Sequence, residues 1–82
     1  ISEISGNYFY QLYPNPTANG ILNLNLSRDV VVTITDVLGK TIFENKLSSG
    51  KNILDISNHS AGVYWMKIAD GNSTEIIKIV RE

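Results

Sequence analysis

The chain has 82 residues, with eight acidic residues, seven basic residues and no cysteine. A chain of this length makes one domain, and its almost balanced charge argues against the dense basic face that nucleic-acid binding requires. The lack of cysteine excludes a disulfide framework and a thiolate metal site, and no apolar run approaches the roughly 18 residues that a transmembrane helix needs.

The first seven residues, ISEISGN, are polar and lack strand periodicity. They have neither the basic start nor the apolar stretch of a secretory signal peptide. Because the first residue is Ile and not Met, we expect the chain to be a fragment of a longer protein. Residues 1–7 are therefore predicted to be a linker remnant, and residues 8–82 to be the domain.

Period-two alternation of apolar and polar residues recurs along the rest of the chain, whereas helical periodicity is missing. The predicted strands are residues 8–13, 21–26, 30–36, 40–47, 53–56, 62–69 and 74–81. Short strands at this spacing predict an all-β fold, an immunoglobulin-like antiparallel β-sandwich of about seven strands. Because the Cys…Trp…Cys spacing of a true immunoglobulin domain is absent, a meander-type sheet or a small barrel stays open.

Both prolines of the chain lie in the stretch YPNPTANG, residues 13–20, directly before the predicted second strand. Proline lacks a backbone N–H and pushes the preceding residue toward extended geometry. Pro14 and Pro16 therefore predict a stiff, extended crossing that carries the chain from one sheet to the other. Asn15 can satisfy nearby backbone groups, and Gly20 can turn the chain into the next strand. The alternative interpretation of this segment is an exposed recognition loop.

The stretch DVLGK, residues 36–40, predicts a turn between the third and fourth strands. Asp36 can accept hydrogen bonds from the backbone N–H groups ahead of it. Gly39 can supply the positive φ on which such a turn ends. We expect this turn to have a structural role.

No catalytic or metal site is recognisable in the sequence. The one histidine, His59, lies in a polar loop, and the acidic residues are scattered singly. A metal site needs further His, Cys or clustered carboxylates, and a hydrolytic triad needs a nucleophile, a base and an orienting group held together. The glycines lie at predicted turns or strand starts, so no phosphate-binding glycine loop is recognisable. We therefore expect no enzyme activity and no cofactor.

The sixth predicted strand, GVYWMKIA, has two different faces. Tyr64, Met66 and Ile68 make the more apolar face, so we expect this face to join the core. Trp65 would then lie on the outer surface beside Lys67, where it could stack on a sugar or contact a protein partner. The alternative is that Trp65 packs under the side chains of a neighbouring strand.

The last predicted strand carries apolar residues on both faces, because Ile77 and Ile79 alternate with Ile76, Lys78 and Val80. Either both faces are covered in the fold, or one is reserved for a partner. A terminal strand is often at a sheet edge, where free backbone groups can pair with another chain. We therefore expect an accessible edge here.

Five pieces of the sequence, in this order, resemble one known family: YPNPTANG, VVVTITDVLGK, NILDIS, AGVYWMKI and KIV near the end of the chain. The chain resembles the type A C-terminal sorting domain of the type IX secretion system over about Tyr8 to Arg81. The resemblance implies these candidate residues for recognition by the translocon: Pro14, Asn15, Pro16, Gly20, Lys67, Lys78, Ile79 and Val80. It implies these structural turn residues: Asp36, Gly39, Lys40 and Gly62. Tyr64 and Ile68 also match the family's motif.

The resemblance implies a domain that folds in the periplasm as an immunoglobulin-like sandwich at the end of a larger precursor. The outer-membrane translocon would recognise it and export the attached cargo to the medium or the cell surface of a Gram-negative bacterium. A sortase-like surface peptidase would then remove the domain, so translocon components and this peptidase are the expected partners. Two departures from the family are slight: Trp65 stands where a smaller side chain is common, and the chain ends in VRE.

A different class of function stays open beside this one. A compact sandwich without a catalytic site is also what an accessory module of a secreted enzyme looks like, with a carbohydrate-binding or spacer role. A third possibility, a small hydrolase, lacks a convincing site.

Overall fold

The computed structural model describes residues 9–82, and this part of the chain forms seven β-strands. The strands are β1 Tyr10–Tyr13, β2 Ile21–Leu26, β3 Val30–Thr35, β4 Thr41–Leu47, β5 Gly50–Asp55, β6 Gly62–Ala69 and β7 Thr74–Arg81. The predicted linker at residues 1–7 and the predicted start of the first strand at Tyr8 lie outside the described residues.

The strands form two antiparallel sheets that pack against each other around one core. One sheet has the order β1-β2-β5, and the other has the order β4-β3-β6-β7. The grouping of β1, β2 and β5 against β3, β6 and β7 is that of the immunoglobulin fold. β4 pairs with β3 at the edge of the larger sheet, whereas a constant-type immunoglobulin domain places its fourth strand in the other sheet. The predicted all-β sandwich is therefore confirmed, and the described residues form neither a single meander nor a barrel.

The core follows from the alternation that the sequence shows. In β2, Leu22, Leu24 and Leu26 are buried, while Asn23 and Asn25 point outward. Each fully buried aliphatic side chain contributes roughly 1.5–3 kcal/mol relative to an exposed one. The buried apolar side chains of the described residues are Phe9, Leu22, Leu24, Leu26, Val30, Val32, Ile34, Leu54, Ile56, Tyr64, Met66, Ile68 and Ile79.

β5 is longer at its start than the alternation predicted. It begins at Gly50 and not at Ile53, because residues 50–52 pair with the end of β2. This Gly-Lys-Asn stretch has no apolar alternation, so its backbone pairing leaves no signal in the sequence. Ile56 was predicted inside the strand and lies just beyond it, where its N–H donates to the Gly20 carbonyl at 2.8 Å.

The proline loop, residues 14–20, does not carry the chain between the sheets. It joins β1 to β2, which are neighbours in the same sheet, so the predicted crossing is wrong. The loop follows a series of bends, and the peptide bonds before Pro14 and Pro16 are both cis. The prediction failed because the local preference of proline does not specify which strands pair.

Candidate recognition site at the proline loop and the last strand

The side chain of Asn15 attaches the proline loop to β7, which is an edge strand of the larger sheet. Its Nδ2 donates to the Lys78 carbonyl at 2.8 Å, and its Oδ1 accepts from the Val80 N–H at 3.0 Å. A side-chain amide offers a donor and an acceptor together. It therefore takes the place of a peptide group of a neighbouring strand, and it links the loop of one sheet to the edge of the other.

Thr17 continues this attachment with its backbone. Its N–H donates to the Val80 carbonyl and its carbonyl accepts from the Glu82 N–H, each at 2.9 Å, which makes a short parallel bridge to Arg81. The Thr17 side chain is fully buried, and its hydroxyl donates to the Ile21 carbonyl at 2.9 Å. Thr17 is not among the residues predicted for this site. Its one signal is a β-branched residue inside a loop of Pro, Asn and Gly.

Gly20 brings the loop against the backbone of the connection between β5 and β6. Its φ is +82°, and a Cβ atom there would lie 2.6 Å from the Cα of Ser57. Its N–H donates to the Thr17 hydroxyl at 3.1 Å. Glycine is therefore required twice, once by the positive φ and once by the lack of space.

The turn between β3 and β4 has the geometry that its sequence predicts. Oδ1 of Asp36 accepts from the N–H groups of Leu38 and Lys40, both at 2.9 Å, and Gly39 has a φ of +86°. The tip of this turn presents apolar side chains to solvent, because Val37 is 68% exposed and Leu38 is 89% exposed.

These segments meet at one end of the sandwich. Because neighbouring strands are antiparallel, β1, β3, β5 and β7 end there, and β2, β4 and β6 begin there. The bridge between Thr17 and Arg81 joins the two sheets at this same end. We call it the motif end: it comprises the proline loop, the β3–β4 turn, residues 56–61 and Glu82. Gly62 begins β6 at this end, opposite Arg81.

A family model covers most of the chain. Residues 11–82 match the family described as the secretion system C-terminal sorting domain. The chain belongs to this family. No curated protein matches the chain at a significant level. A sorting domain of this kind implies interaction with the type IX secretion machinery. It also implies secretion through the outer membrane to the cell surface or the extracellular space of Gram-negative bacteria.

In this sorting domain, the candidate recognition residues divide by exposure. The exposed ones are Pro14, Asn15, Pro16, Lys67 and Lys78. Gly20 and Ile79 are buried, and Val80 is half-buried. Gly20 and Ile79 are therefore not accessible to a partner. Among the exposed residues, the Asn15 side chain is engaged with β7, and the others are accessible.

The outward face of β6 and β7 alternates apolar and cationic side chains. The strand register places Trp65 opposite Lys78 and Lys67 opposite Ile76. Trp65 is 43% exposed and Ile76 is 65% exposed, whereas Tyr64 is buried. The predicted orientation of β6, with Trp65 on the outer surface, is therefore confirmed. Within residues 9–82, the outward face of β7 is left open.

Two acidic side chains of the sorting domain have lowered pKa values. The hydroxyl and then the N–H of Ser57 hold the pKa of Asp55 below its ordinary 3.8. The backbone N–H groups of residues 72 and 73, followed by the side chain of Arg28, hold the pKa of Asp70 below its ordinary 3.8. The carboxylate of Asp70 also pairs with the guanidinium of Arg28 at 2.6 Å. Asp55 lies beside the motif end, and Asp70 lies in the turn at the opposite end.

Side chains that could ligate a metal stay dispersed over the described part of the chain. Residues 9–82 contain no group of three or more His, Cys, Asp or Glu side chains that could hold a metal ion. His59 lies in the connection between β5 and β6, where its backbone N–H donates to the Ile56 carbonyl at 3.0 Å. Over the same residues, no helix has the length and apolar character to cross a bilayer. The groups described above provide backbone pairing at a sheet edge, apolar contact and positive charge.

Proposed function

We propose that this domain directs an attached cargo protein through the type IX outer-membrane translocon, without catalysis of its own, and that it is removed at the cell surface. One observation carries the proposal beyond family membership. Motif residues that lie 63 and 65 positions apart in sequence meet in the contacts of Asn15 with Lys78 and Val80. No short linear segment contains both parts of this surface, so it exists only in the folded domain. A sorting signal that is recognised in its folded state needs a surface of this kind.

Burial separates the residues proposed to contact the translocon from those proposed to support the surface. Pro14, Pro16 and Lys78 are exposed beside the end of β7, and Lys67 is exposed on the adjacent strand; these contact the translocon. Ile79 holds β7 on the core, and the Asn15 amide fixes the position of the proline loop. The partner is thus presented with a rigid surface, which lowers the entropic cost of binding.

The export test uses residues 1–82 fused to the C-terminus of a periplasmic reporter in a bacterium that has a type IX system. We expect reporter in the medium or at the cell surface. Deletion of residues 78–82 should leave it in the periplasm, because the deletion removes both the Asn15 partners and a core residue. Normal export of the deleted fusion would show that this end of the chain is not needed for sorting.

Lys78→Ala separates contact from folding, because it removes a charge and little buried apolar area. We expect reduced export from this variant and an unchanged melting temperature. Lys51→Ala is the matched control, since Lys51 is an exposed lysine on the other sheet. If Lys78→Ala is exported like Lys51→Ala while the deletion is not, β7 matters for folding and not for contact.

The proposed processing site lies in or just before residues 1–7. This segment is polar and without strand periodicity, and proteases cut preferentially in segments of this kind. Mass spectrometry of the domain released into the medium should give an N-terminus in this region. A released domain that begins after Gly20 would be incompatible with the proposal, since it lacks β1 and the proline loop.

A second candidate function rests on the exposure of Trp65 beside Lys67. An accessory carbohydrate-binding module would use such a side chain to stack on a sugar. Retention of the domain on purified polysaccharides distinguishes the two functions, with Trp65→Ala as the control variant. We expect no retention. Clear binding that Trp65→Ala abolishes would favour the accessory module.

A further inference from the structure

The outer edge of β7 is paired along only part of its length within residues 9–82. The carbonyl of Lys78 and the N–H of Val80 point away from β6, because Asn15 binds both. In an antiparallel strand, both backbone groups of every second residue point to the same side. The backbone groups of Thr74 and Ile76 and the N–H of Lys78 therefore also point away from β6. No other strand of the described chain lies on that side.

Asn15 and Thr17 pair with the C-terminal part of this edge, at the motif end. The remaining segment, Thr74–Lys78, is five residues long, and we call it the free edge. An exposed row of unpaired N–H and carbonyl groups is a template for another strand. Extended peptides add to such edges through main-chain hydrogen bonds, and side chains at alternate positions give the specificity.

On the outward face, the side chains beside the free edge favour an acidic partner. The one anion of the free edge, Glu75, lies on the other face of β7, in line with Ile77 and Ile79. The outward positions of β6 and β7 carry the cations Lys67 and Lys78 and no anion. Neither lysine forms an ion pair with any residue in 9–82. Between them lie the exposed apolar side chains of Trp65 and Ile76. Opposite charges on neighbouring strands stabilise the pair, and like charges destabilise it.

We propose that the free edge binds an extended acidic segment of a translocon protein as an added β-strand. The segment carries an acidic residue beside Lys78 and an apolar residue beside Ile76 on the outward face. The Asn15 amide ends the available edge and so limits the register of the added strand. This inference rests on the proposed sorting function, and it specifies the chemistry of the partner.

The binding test uses the isolated chain and a synthetic peptide of nine residues with alternating Glu and Val. In the free protein, the amides of Ile76 and Lys78 should exchange with solvent faster than those of Ile77 and Ile79, which face β6. The peptide should protect Ile76 and Lys78. A peptide of alternating Lys and Val should bind about tenfold more weakly. Equal binding of both peptides, or no protection of these amides, would overturn the inference.

Two sets of variants separate the edge from the fold. Ile76→Pro removes an outward N–H and should abolish peptide binding and export. Ile76→Ala keeps this N–H and removes only an apolar side-chain contact, so it should weaken both far less. The double variant Lys67→Glu, Lys78→Glu leaves the backbone intact and should reverse the preference between the two peptides. If Ile76→Pro fails to fold, the double variant still tests whether the partner of the free edge is acidic. A preference unchanged by the double variant would contradict the acidic partner.

The export assay distinguishes the failure of this inference from the failure of the sorting function. If Ile76→Pro is folded and exported like the unchanged domain, the edge is not the docking site, although sorting stands. If the unchanged domain is not exported, the sorting function itself is wrong. If the domain self-associates and Ile76→Pro makes it monomeric, the free edge binds a second copy and the translocon partner is refuted.

Discussion

Gly20 and Gly39 both have positive φ, but their surroundings differ. A Cβ on Gly39 would meet nothing within 4 Å, whereas a Cβ on Gly20 would overlap the Ser57 backbone at 2.6 Å. We expect Gly39→Ala to lower the free energy of unfolding by about 1–2 kcal/mol through the backbone conformation alone. Gly20→Ala adds a steric overlap and should cost more. Urea denaturation of the two variants measures both losses.

These two glycine substitutions control for each other. Their strain in φ is similar, so the difference between them reports the close approach of the proline loop to Ser57. Equal losses would show that the connection between β5 and β6 moves aside at no cost. The positive φ of Gly39 was predictable from the sequence, because the turn chemistry of Asp36 and Gly39 is local.

Asp70 makes the stability of the domain depend on pH. Its pKa in the folded state lies below the ordinary 3.8, so the unfolded state binds a proton more readily than the folded state. The stabilisation is therefore complete above the unfolded pKa and is lost as the pH falls through the folded pKa. We expect the melting temperature to fall less steeply in Asp70→Asn than in the unchanged domain when the pH is lowered from about 6 to about 2.

Asp55 shifts in the same direction as Asp70, so part of the acid sensitivity remains in Asp70→Asn. Asp55→Asn in the same background should reduce the pH dependence further. Superimposable melting curves for Asp70→Asn and the unchanged domain at every pH would show that the hydrogen bonds to Asp70 do not differ between the folded and unfolded states.

At the scale of the elements, the strands differ in how far the sequence predicts them. β2, β6 and β7 have the predicted bounds. Apolar alternation marks β2, whereas β6 and β7 are marked by apolar residues on both faces between turn residues. β5 starts three residues early, at Gly50, because backbone pairing with β2 needs no particular side chains there. The docking of Asn15 on β7 was not predictable, since nothing in the local sequence specifies a partner 63 residues away.

This docking has a measurable contribution to stability. Asn15→Ala removes two hydrogen bonds to β7 and should lower the free energy of unfolding by about 1–3 kcal/mol. Asn23→Ala is the matched control, because Asn23 is an outward asparagine with one long bond, 3.4 Å, to the Tyr13 carbonyl. We expect the control to change the free energy of unfolding by about 0.5 kcal/mol or less. Chemical denaturation measures both.

Hydrogen exchange shows whether the loss arises at the predicted contact. In Asn15→Ala, the amide of Val80 should exchange faster, because it has lost its acceptor. The amide of Ile79 faces β6 and should change less. If the two substitutions cost the same, or if Val80 keeps its protection, the Asn15 side chain does not hold the proline loop on the strand.

For the whole molecule, the sequence predicts the architecture better than the surface. Alternation and turn spacing predict the strands and favour the sandwich, which the strand order confirms over the meander and the barrel that the sequence left open. They do not separate the motif residues that build the core from those that face a partner. Ile79 belongs to the motif and is fully buried, whereas Lys78 beside it is exposed. That division depends on which face of β7 meets the other sheet, and this follows only from the assembled fold.

Substitutions of two isoleucines in β7 test whether one face of the strand builds the core while the other faces solvent, with the stability of the domain as the measured quantity. Ile79 is 0% exposed and Ile76 is 65% exposed. Ile79→Ala should cost about 2–5 kcal/mol through the lost burial and the remaining cavity. Ile76→Ala should cost about 0.5 kcal/mol or less. Because small domains have about 5–15 kcal/mol in total, thermal melts of both variants are needed to interpret any export defect. Similar melts would contradict the burial described for β7.

The docking of Asn15 on β7 also has a kinetic consequence. Contacts between residues 63 and 65 positions apart require closure of most of the chain, which is costly in conformational entropy. We expect these surface hydrogen bonds to form after the core strands have paired. Asn15→Ala should therefore speed unfolding and leave the folding rate almost unchanged. Stopped-flow chevron plots separate the two rates, and slower folding in the variant would place the contact in the folding nucleus. With the expected outcome, the contact of Asn15 with β7 determines how long the domain remains folded, rather than how quickly it folds.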